Sequence, residues 1–106
     1  MYAITENAQK INGKEVQTFS RNVKNGKTEL IVEAGTTGFA GGDSREKGGR
    51  AYFSFACNHG DYYFAPILDD RKKMIGFEAA CCGDDAVCSL IEMLNFAMQA
   101  FVDQCE

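Results

Sequence analysis

Long apolar runs, a signal peptide and a disulfide framework are all missing from this 106-residue chain. No stretch approaches the roughly 18 consecutive apolar residues that a membrane-spanning helix needs. The first residues lack the basic segment followed by an apolar run that is typical of a signal peptide. The five cysteines are odd in number and irregularly spaced, which excludes a regular disulfide framework and fits a reducing compartment. These absences predict a soluble cytoplasmic protein without membrane contact.

The chain also has little positive charge. It holds 11 basic and 15 acidic residues and has a net charge of −4, which disfavours binding to DNA or RNA backbones. The charge is uneven, because residues 1–50 carry eight basic and six acidic side chains, whereas residues 51–106 carry three and nine. We therefore expect no nucleic-acid partner, and the first half of the chain favours an anionic ligand over a cationic one.

The length and the hydrophobic patterning predict a single α+β domain over residues 1–106. The dipeptides Asn12-Gly13 and Asn25-Gly26 are typical of turns, and the second stands beside a run with the alternation of a hairpin strand, in which Leu30, Val32 and Ala34 would face the core. Pro66 lies inside a later run, which favours an edge position there. The predicted strands cover residues 15–19, 28–34, 51–57, 62–68 and 74–81.

The last twenty residues predict one long amphipathic helix over residues 85–104. Apolar residues recur there with helical spacing, and Asp84 and Asp85 suit the positive end of the helix. We expect an antiparallel sheet of four to five strands, with the apolar stripe of this helix packed on one face. The stripe comprises Val87, Leu90, Ile91, Leu94, Ala97, Met98, Phe101, Val102 and Cys105, and the opposite side comprises Ser89, Glu92, Asn95, Gln99 and Asp103.

Six of the eleven glycines fall within residues 35–50, between two predicted strands. Glycines allow backbone N–H groups to wrap an anion, and a loop of this length is often functional. The segment lacks both the phosphate-loop pattern and the dinucleotide fingerprint, so a flexible connector without a ligand is an equal alternative. The candidate ligand-binding residues are Gly41 and Gly42 as backbone donors, Thr36, Thr37 and Ser44 as hydroxyls, Asp43 as a ribose acceptor, Arg50 as the anion partner and Tyr52 as a base-stacking ring.

Residues 33–53 carry a resemblance to a group of short uncharacterised proteins from Firmicutes and their phages. The matching segments are Glu33-Ala34-Gly35-Thr36-Thr37-Gly38, Gly41-Gly42-Asp43-Ser44 and Gly49-Arg50-Ala51-Tyr52-Phe53. The chain departs from the group pattern at Arg45-Glu46-Lys47. The resemblance implies an accessory protein of a mobile element, and by analogy with other small phage proteins it suggests anti-defence sequestration of a nucleotide signal.

These observations favour a non-enzymatic protein that binds an anionic, nucleotide-like molecule, without a cofactor or a metal. Cys57 and His59 with Cys81 and Cys82 match no familiar zinc spacing, and a Cys57–His59 nucleophile pair is a generic pattern.

The alternative is a protein-interaction module or a host-enzyme inhibitor that docks through an aromatic sheet face. One helix cannot cover both faces of the sheet, so we also expect a homo-oligomer that buries Ile31, Tyr52, Tyr63 and Phe64.

Overall fold

The computed structural model describes residues 4–38 and 49–105, which form six strands and one helix. The predicted α+β class, with antiparallel strands and one long C-terminal helix on a sheet face, is confirmed. The elements are β1 (Thr5–Ile11), β2 (Lys14–Asn25), β3 (Thr28–Thr36), β4 (Ala51–His59), β5 (Tyr62–Leu68), β6 (Met74–Cys81) and α1 (Asp84–Cys105).

The strands form two sheets instead of one. A four-stranded antiparallel sheet has the order β1-β2-β3-β4, and β5 and β6 pair only with each other. Pro66 lies in β5 opposite Phe77, in a two-stranded sheet where every strand is an edge, so its missing N–H is tolerated as expected. The β5–β6 hairpin is therefore an appendage beside the main sheet, and the predicted single sheet is corrected in this respect.

The first hairpin corrects the prediction for the N-terminal part of the chain. No strand was expected in the first dozen residues, yet β1 pairs with β2 in continuous register from Thr5↔Ser20 to Ile11↔Lys14. The strand predicted over residues 15–19 is twelve residues long and extends to Asn25. Both predicted Asn-Gly turns are present, with the left-handed backbone that favours these residues at Asn12, Gly13 and Gly26.

The core lies between the main sheet and α1. Leu30, Val32 and Ala34 of β3 are fully buried, as predicted, together with Val23 of β2. Met93, Ala97 and Ala100 of the helix pack on them, and Phe55 and Cys57 of β4 border the cluster. The helix thus covers β2 and β3, while β4 and the hairpin lie to one side of it.

The helix presents a different face to the sheet from the predicted one. The buried helix residues are Ala86, Ser89, Met93, Ala97 and Ala100, whereas only part of the predicted stripe, Leu90, Ala97 and Phe101, contacts the core. Ser89 was expected in water, but it is fully buried and accepts a hydrogen bond from the Asn25 amide at 3.0 Å. The rest of the stripe is exposed: Val87, Ile91, Leu94, Met98, Val102 and Cys105.

The side-chain amide of Gln104 joins β2 to β3 where their direct pairing ends. The register between these strands stops at Phe19↔Ala34. Two positions further along, Gln17 would stand opposite Thr36, and the Gln104 amide lies between them, accepting from the Thr36 N–H at 3.0 Å and donating to the Gln17 carbonyl at 2.9 Å. The end of α1 therefore satisfies backbone groups that the sheet leaves open.

The fold is flat. Its dimensions are 47 × 44 × 18 Å, and its radius of gyration is 15.5 Å, compared with about 13 Å for a compact domain of this length. A single layer of helix on a single layer of sheet leaves much apolar surface outside the core.

By length and composition alone, α1 is long and apolar enough to cross a membrane, and 28% of its most apolar window is buried in the fold. The expected absence of membrane contact therefore stays a prediction.

Candidate functional site

The two ends of the glycine-rich segment are fastened together by hydrogen bonds. The Thr36 hydroxyl donates to the Arg50 carbonyl at 2.7 Å, and the Thr37 N–H donates to the same carbonyl at 2.9 Å. The Arg50 N–H donates to the Thr37 hydroxyl at 2.9 Å, and the Gly38 N–H donates to the Thr36 hydroxyl at 3.0 Å. These four bonds form a closed neck at the end of β3 and the start of β4.

The neck involves three of the residues that the sequence assigned to a ligand. The hydroxyls of Thr36 and Thr37 already have partners within the chain, and the Arg50 Nε donates to the Ile11 carbonyl at 2.9 Å. Tyr52 lies half-buried on β4 opposite Gly35. The remaining candidates, Gly41, Gly42, Asp43 and Ser44, lie outside the described residues. Thr36, Thr37 and Arg50 thus have a structural role that the sequence analysis did not anticipate.

A cleft of about 400 Å³ separates β4 from the β5–β6 hairpin. Phe55 and Phe64 meet edge to face across it, with ring centres 5.4 Å apart. Among the described residues no ladder of backbone hydrogen bonds joins β4 to β5, so side chains close the floor of the cleft while its mouth stays open. Its lining is mainly apolar: Phe53, Ser54, Phe55, Phe64, Ala65, Pro66, Met74 and Phe77.

Exposed apolar side chains of the hairpin extend the cleft. Met74 is 59% exposed and Phe77 54%, although large apolar residues normally bury much of their surface. Alternation places Phe64 and Phe77 on the cleft side of the hairpin, because Phe64 pairs with Ala79 and Pro66 with Phe77. Tyr63 and Ile67 are also exposed, but they lie on the opposite face, and Leu68 and Ile75 are exposed at the end of the hairpin beside its bulge.

Of the four residues that were expected to form one oligomer face, Phe64 lies on the opposite side from Ile31 and Tyr52. Ile31 alternates with the buried Leu30 and Val32, so it lies on the side of the sheet away from α1. Tyr52 is opposite Gly35, and Ile31 is opposite Ala56, which places both on that far side. Phe64 lies on the helix side against Phe55. Sequence alternation identified exposed aromatics, but it could not show that the hairpin leaves the main sheet.

Tyr62 anchors the hairpin to the beginning of α1. Its hydroxyl donates to the Ala86 carbonyl at 2.7 Å, and its ring stacks beside Phe64 with centres 6.1 Å apart. Burial raises the pKa of Tyr62 to about 12, with smaller contributions from Cys81 and Cys57. The phenol therefore stays a neutral donor over the physiological range, and the anchor does not depend on pH there.

The surroundings of Cys57 disfavour its thiolate form. Burial raises the pKa of the Cys57 thiol, the negative charge of Asp61 raises it further, and a backbone hydrogen bond from His59 opposes the change. A thiol with a raised pKa is a poor nucleophile at neutral pH. Within residues 4–38 and 49–105, no group of three or more His, Cys, Asp or Glu side chains could hold a metal ion.

Comparison with known proteins found no matching family model, no similar curated protein and no similar solved structure. The function must therefore be argued from the surfaces of the fold itself. The residues most important for that argument are Phe53, Phe55, Met74 and Phe77, which sequence reasoning did not single out as a site. Their signal was the density of large apolar residues in the predicted strands over residues 51–57, 62–68 and 74–81, which the sequence alone could equally assign to a core.

Proposed function

We propose that the chain is a non-enzymatic protein-interaction module that docks a protein partner in the cleft between β4 and the hairpin. The observation that carries this proposal is the exposure of large apolar side chains around the cleft, including Phe64, Met74 and Phe77. Contiguous exposed apolar patches of more than a few hundred Å² are rare on soluble monomers and mark interaction surfaces.

The chemistry of the cleft favours an apolar segment of a protein over other partners. None of the cleft residues carries a charge, so the lining offers no ion pair to a phosphate or a carboxylate. Its aromatic and methionine side chains are typical of the centre of protein interfaces. The edge of β4 also faces the cleft without a hydrogen-bonded neighbour among the described residues, so an incoming extended segment could pair with it.

A lysine at Phe77 is expected to abolish partner binding without unfolding the chain. Phe77→Lys places a charge in the middle of the apolar cleft wall, but the side chain is already more than half exposed, so the fold should lose little stability. Affinity purification from the native host, with stoichiometry measured by mass spectrometry, should recover a partner with wild type and lose it with this variant.

Ala80→Lys is the matched control for that experiment. It adds the same charge to the same strand, at an exposed position on the opposite face of the hairpin. A partner that is retained by Ala80→Lys and lost by Phe77→Lys supports the cleft as the docking site. Equal retention by both variants would contradict it.

A second candidate function is the binding of an anionic, nucleotide-like molecule by the glycine-rich segment. It is supported by the hydrogen-bonded neck, which holds Gly38 and Arg50 side by side and so fixes where the segment leaves and rejoins the sheet. Pre-organised ends reduce the ordering cost of ligand binding.

Asp43→Ala is the first variant to test for this second function, because Asp43 is the residue that the sequence analysis assigns to accept from a ribose hydroxyl. ADP-ribose and cyclic dinucleotides should raise the Tm of wild type by mass action and leave that of Asp43→Ala unchanged. A wild-type Tm that none of these molecules shifts at millimolar concentration would remove the candidate. The Tm of both proteins without ligand is the control for an effect on folding.

A further inference from the structure

One edge of the predicted helix stripe, in which Phe101 is half-buried against the core and the other members are exposed, forms a regular seam. Val87, Ile91, Leu94, Met98, Phe101 and Cys105 follow one another at alternating spacings of four and three residues. This is the 3.5-residue repeat by which two helices pack along their length. The first four members are between 46% and 57% exposed, so nothing in the described chain covers them.

A shallow groove runs beside this helix seam. Phe53 of β4 faces Leu94, Met98 and Val102 of α1 across it, and the groove has a volume of about 340 Å³. The seam and the groove together therefore offer both ridges and a recess, which is the surface relief that helix packing uses.

We infer that the helix seam is covered by the seam of a second copy of this chain, so that the functional unit is a dimer joined through α1. Charge supports a second copy as the occupant. Between residues 86 and 102 the helix has one charged residue, Glu92, which is half-buried and accepts from the Asn25 amide. Two chains with a net charge of −4 each can therefore meet here without like charges facing one another in the contact.

The surface area of the chain also fits a dimer. It exposes 7366 Å², whereas a folded monomer of 11.6 kDa exposes about 5,800 Å² by the usual scaling with mass. The difference is spread over the whole flat fold, the hairpin included, and it exceeds the roughly 800 Å² that each partner buries in a standard interface. Phe53 borders both the seam groove and the β4–hairpin cleft, so the two surfaces are neighbours, but the inference does not use the proposed docking function.

A lipid surface fits the seam less well. Helices that lie on membranes carry Lys and Arg beside their apolar face to meet anionic headgroups. The 22 residues of α1 contain no basic residue, and Asp84, Asp85 and Asp103 stand near its two ends. These carboxylates would be repelled by an anionic bilayer, whereas they lie at the margins of a helix pair.

The test compares two adjacent lysine substitutions by sedimentation equilibrium. Wild type should have about twice the single-chain mass of 11.6 kDa at micromolar concentration. Met98→Lys places a charge in the seam and should raise the dimer Kd at least about ten-fold. Gln99→Lys adds the same charge at an exposed position off the seam, next to the side chain of Asp103, and should leave the Kd unchanged.

Four outcomes would overturn the inference. Wild type could be monomeric at about 100 μM, or Met98→Lys could remain as dimeric as Gln99→Lys. A dimer that Phe77→Lys breaks and Met98→Lys does not would place self-association in the hairpin cleft instead. Flotation of a monomeric wild type with phosphatidylcholine or phosphatidylserine vesicles, lost in Met98→Lys, would assign the seam to a membrane. Far-ultraviolet circular dichroism of each variant, which should match wild type, confirms that the helix is intact.

Discussion

Gly35→Ala is expected to destabilise the chain by about 3 kcal/mol or more, a large effect for the addition of one methyl group. A Cβ at Gly35 would overlap the backbone carbonyl oxygen of Gln17 and lie 2.7 Å from the Cα of Thr18. Because these are backbone atoms, no rotamer change can relieve the contact. The substitution must push β3 away from β2 at the point where Gln104 bridges them. Thermal unfolding followed by circular dichroism should show a fall in Tm of at least about 12 °C.

Gly76→Ala is the matched control for Gly35→Ala. It adds the same methyl group to a strand glycine without a left-handed backbone, and the new Cβ would lie 3.7 Å from the Cδ1 of Ile67, an ordinary packing distance. Gly76→Ala should leave the free energy of unfolding unchanged or raise it by about 0.5 kcal/mol, because alanine restricts the backbone of the unfolded chain. Similar Tm values for Gly35→Ala and wild type would show that the two strands do not approach as closely as the structure has them.

This prediction separates two roles within the glycine-rich segment. The composition of residues 35–50 suggested a single ligand loop, but Gly35 is needed because the backbone of β2 passes beside it. Thr36, Thr37 and Arg50 are engaged in the neck. A cluster of glycines in a sequence cannot show which members serve strand packing, because that depends on a strand far away along the chain.

The parts of the fold that were predicted correctly have strong local signals. The Asn-Gly turns fix the first hairpins through backbone conformation alone, and β5 and β6 begin and end at the predicted residues. The strand β1 was missed because both its faces are mostly exposed, so it has no apolar alternation. Its best signal was the Asn12-Gly13 turn, which implies a partner strand on its N-terminal side.

The orientation of α1 was mispredicted because the helix has apolar residues on more than one side. The larger residues Ile91, Leu94 and Met98 gave the stronger periodicity, but small residues such as Ala86 and Ser89 face the sheet. Small side chains allow the helix to approach the sheet closely, and Ser89 is satisfied there by Asn25. Periodicity detects an apolar stripe, but it does not say whether the sheet or a second molecule covers that stripe.

The same limit applies to the candidate site. Alternation identified exposed aromatics such as Tyr63 and Phe64, yet the cleft exists because β5 does not continue the ladder beyond β4. Whether two consecutive strands pair is decided by long-range packing of their side chains. No local pattern in residues 51–81 distinguishes a six-stranded sheet from a four-stranded sheet with an attached hairpin.

Phe55→Ala is expected to cost about 3 kcal/mol and to loosen the hairpin from the main sheet. Phe55 is half-buried, packs against the core cluster, and meets Phe64 edge to face at 5.4 Å. The hairpin is also tied to the rest of the fold by its short links to β4 and α1, by the packing of Tyr62 on the core cluster, and by the hydrogen bond from the Tyr62 hydroxyl to the Ala86 carbonyl. Removing the ring of Phe55 deletes both its core contact and its contact with Phe64.

Hydrogen exchange can distinguish local loosening from general destabilisation. In Phe55→Ala, the amides of β5 and β6 should lose more protection than those of β2 and β3, because the hairpin opens without unfolding the core. Phe53→Ala is the comparison, since Phe53 lies on the same face of the same strand but is 37% exposed, and its ring lies against Phe55 whereas it is Phe55 that meets Phe64. Its loss should cost about 1 kcal/mol and lower hairpin protection less than Phe55→Ala does. A uniform loss of protection in Phe55→Ala would mean that the hairpin and the sheet unfold as one unit. Selective loss, together with weaker partner binding, would show that the cleft functions only while the Phe55–Phe64 contact holds its two walls in place.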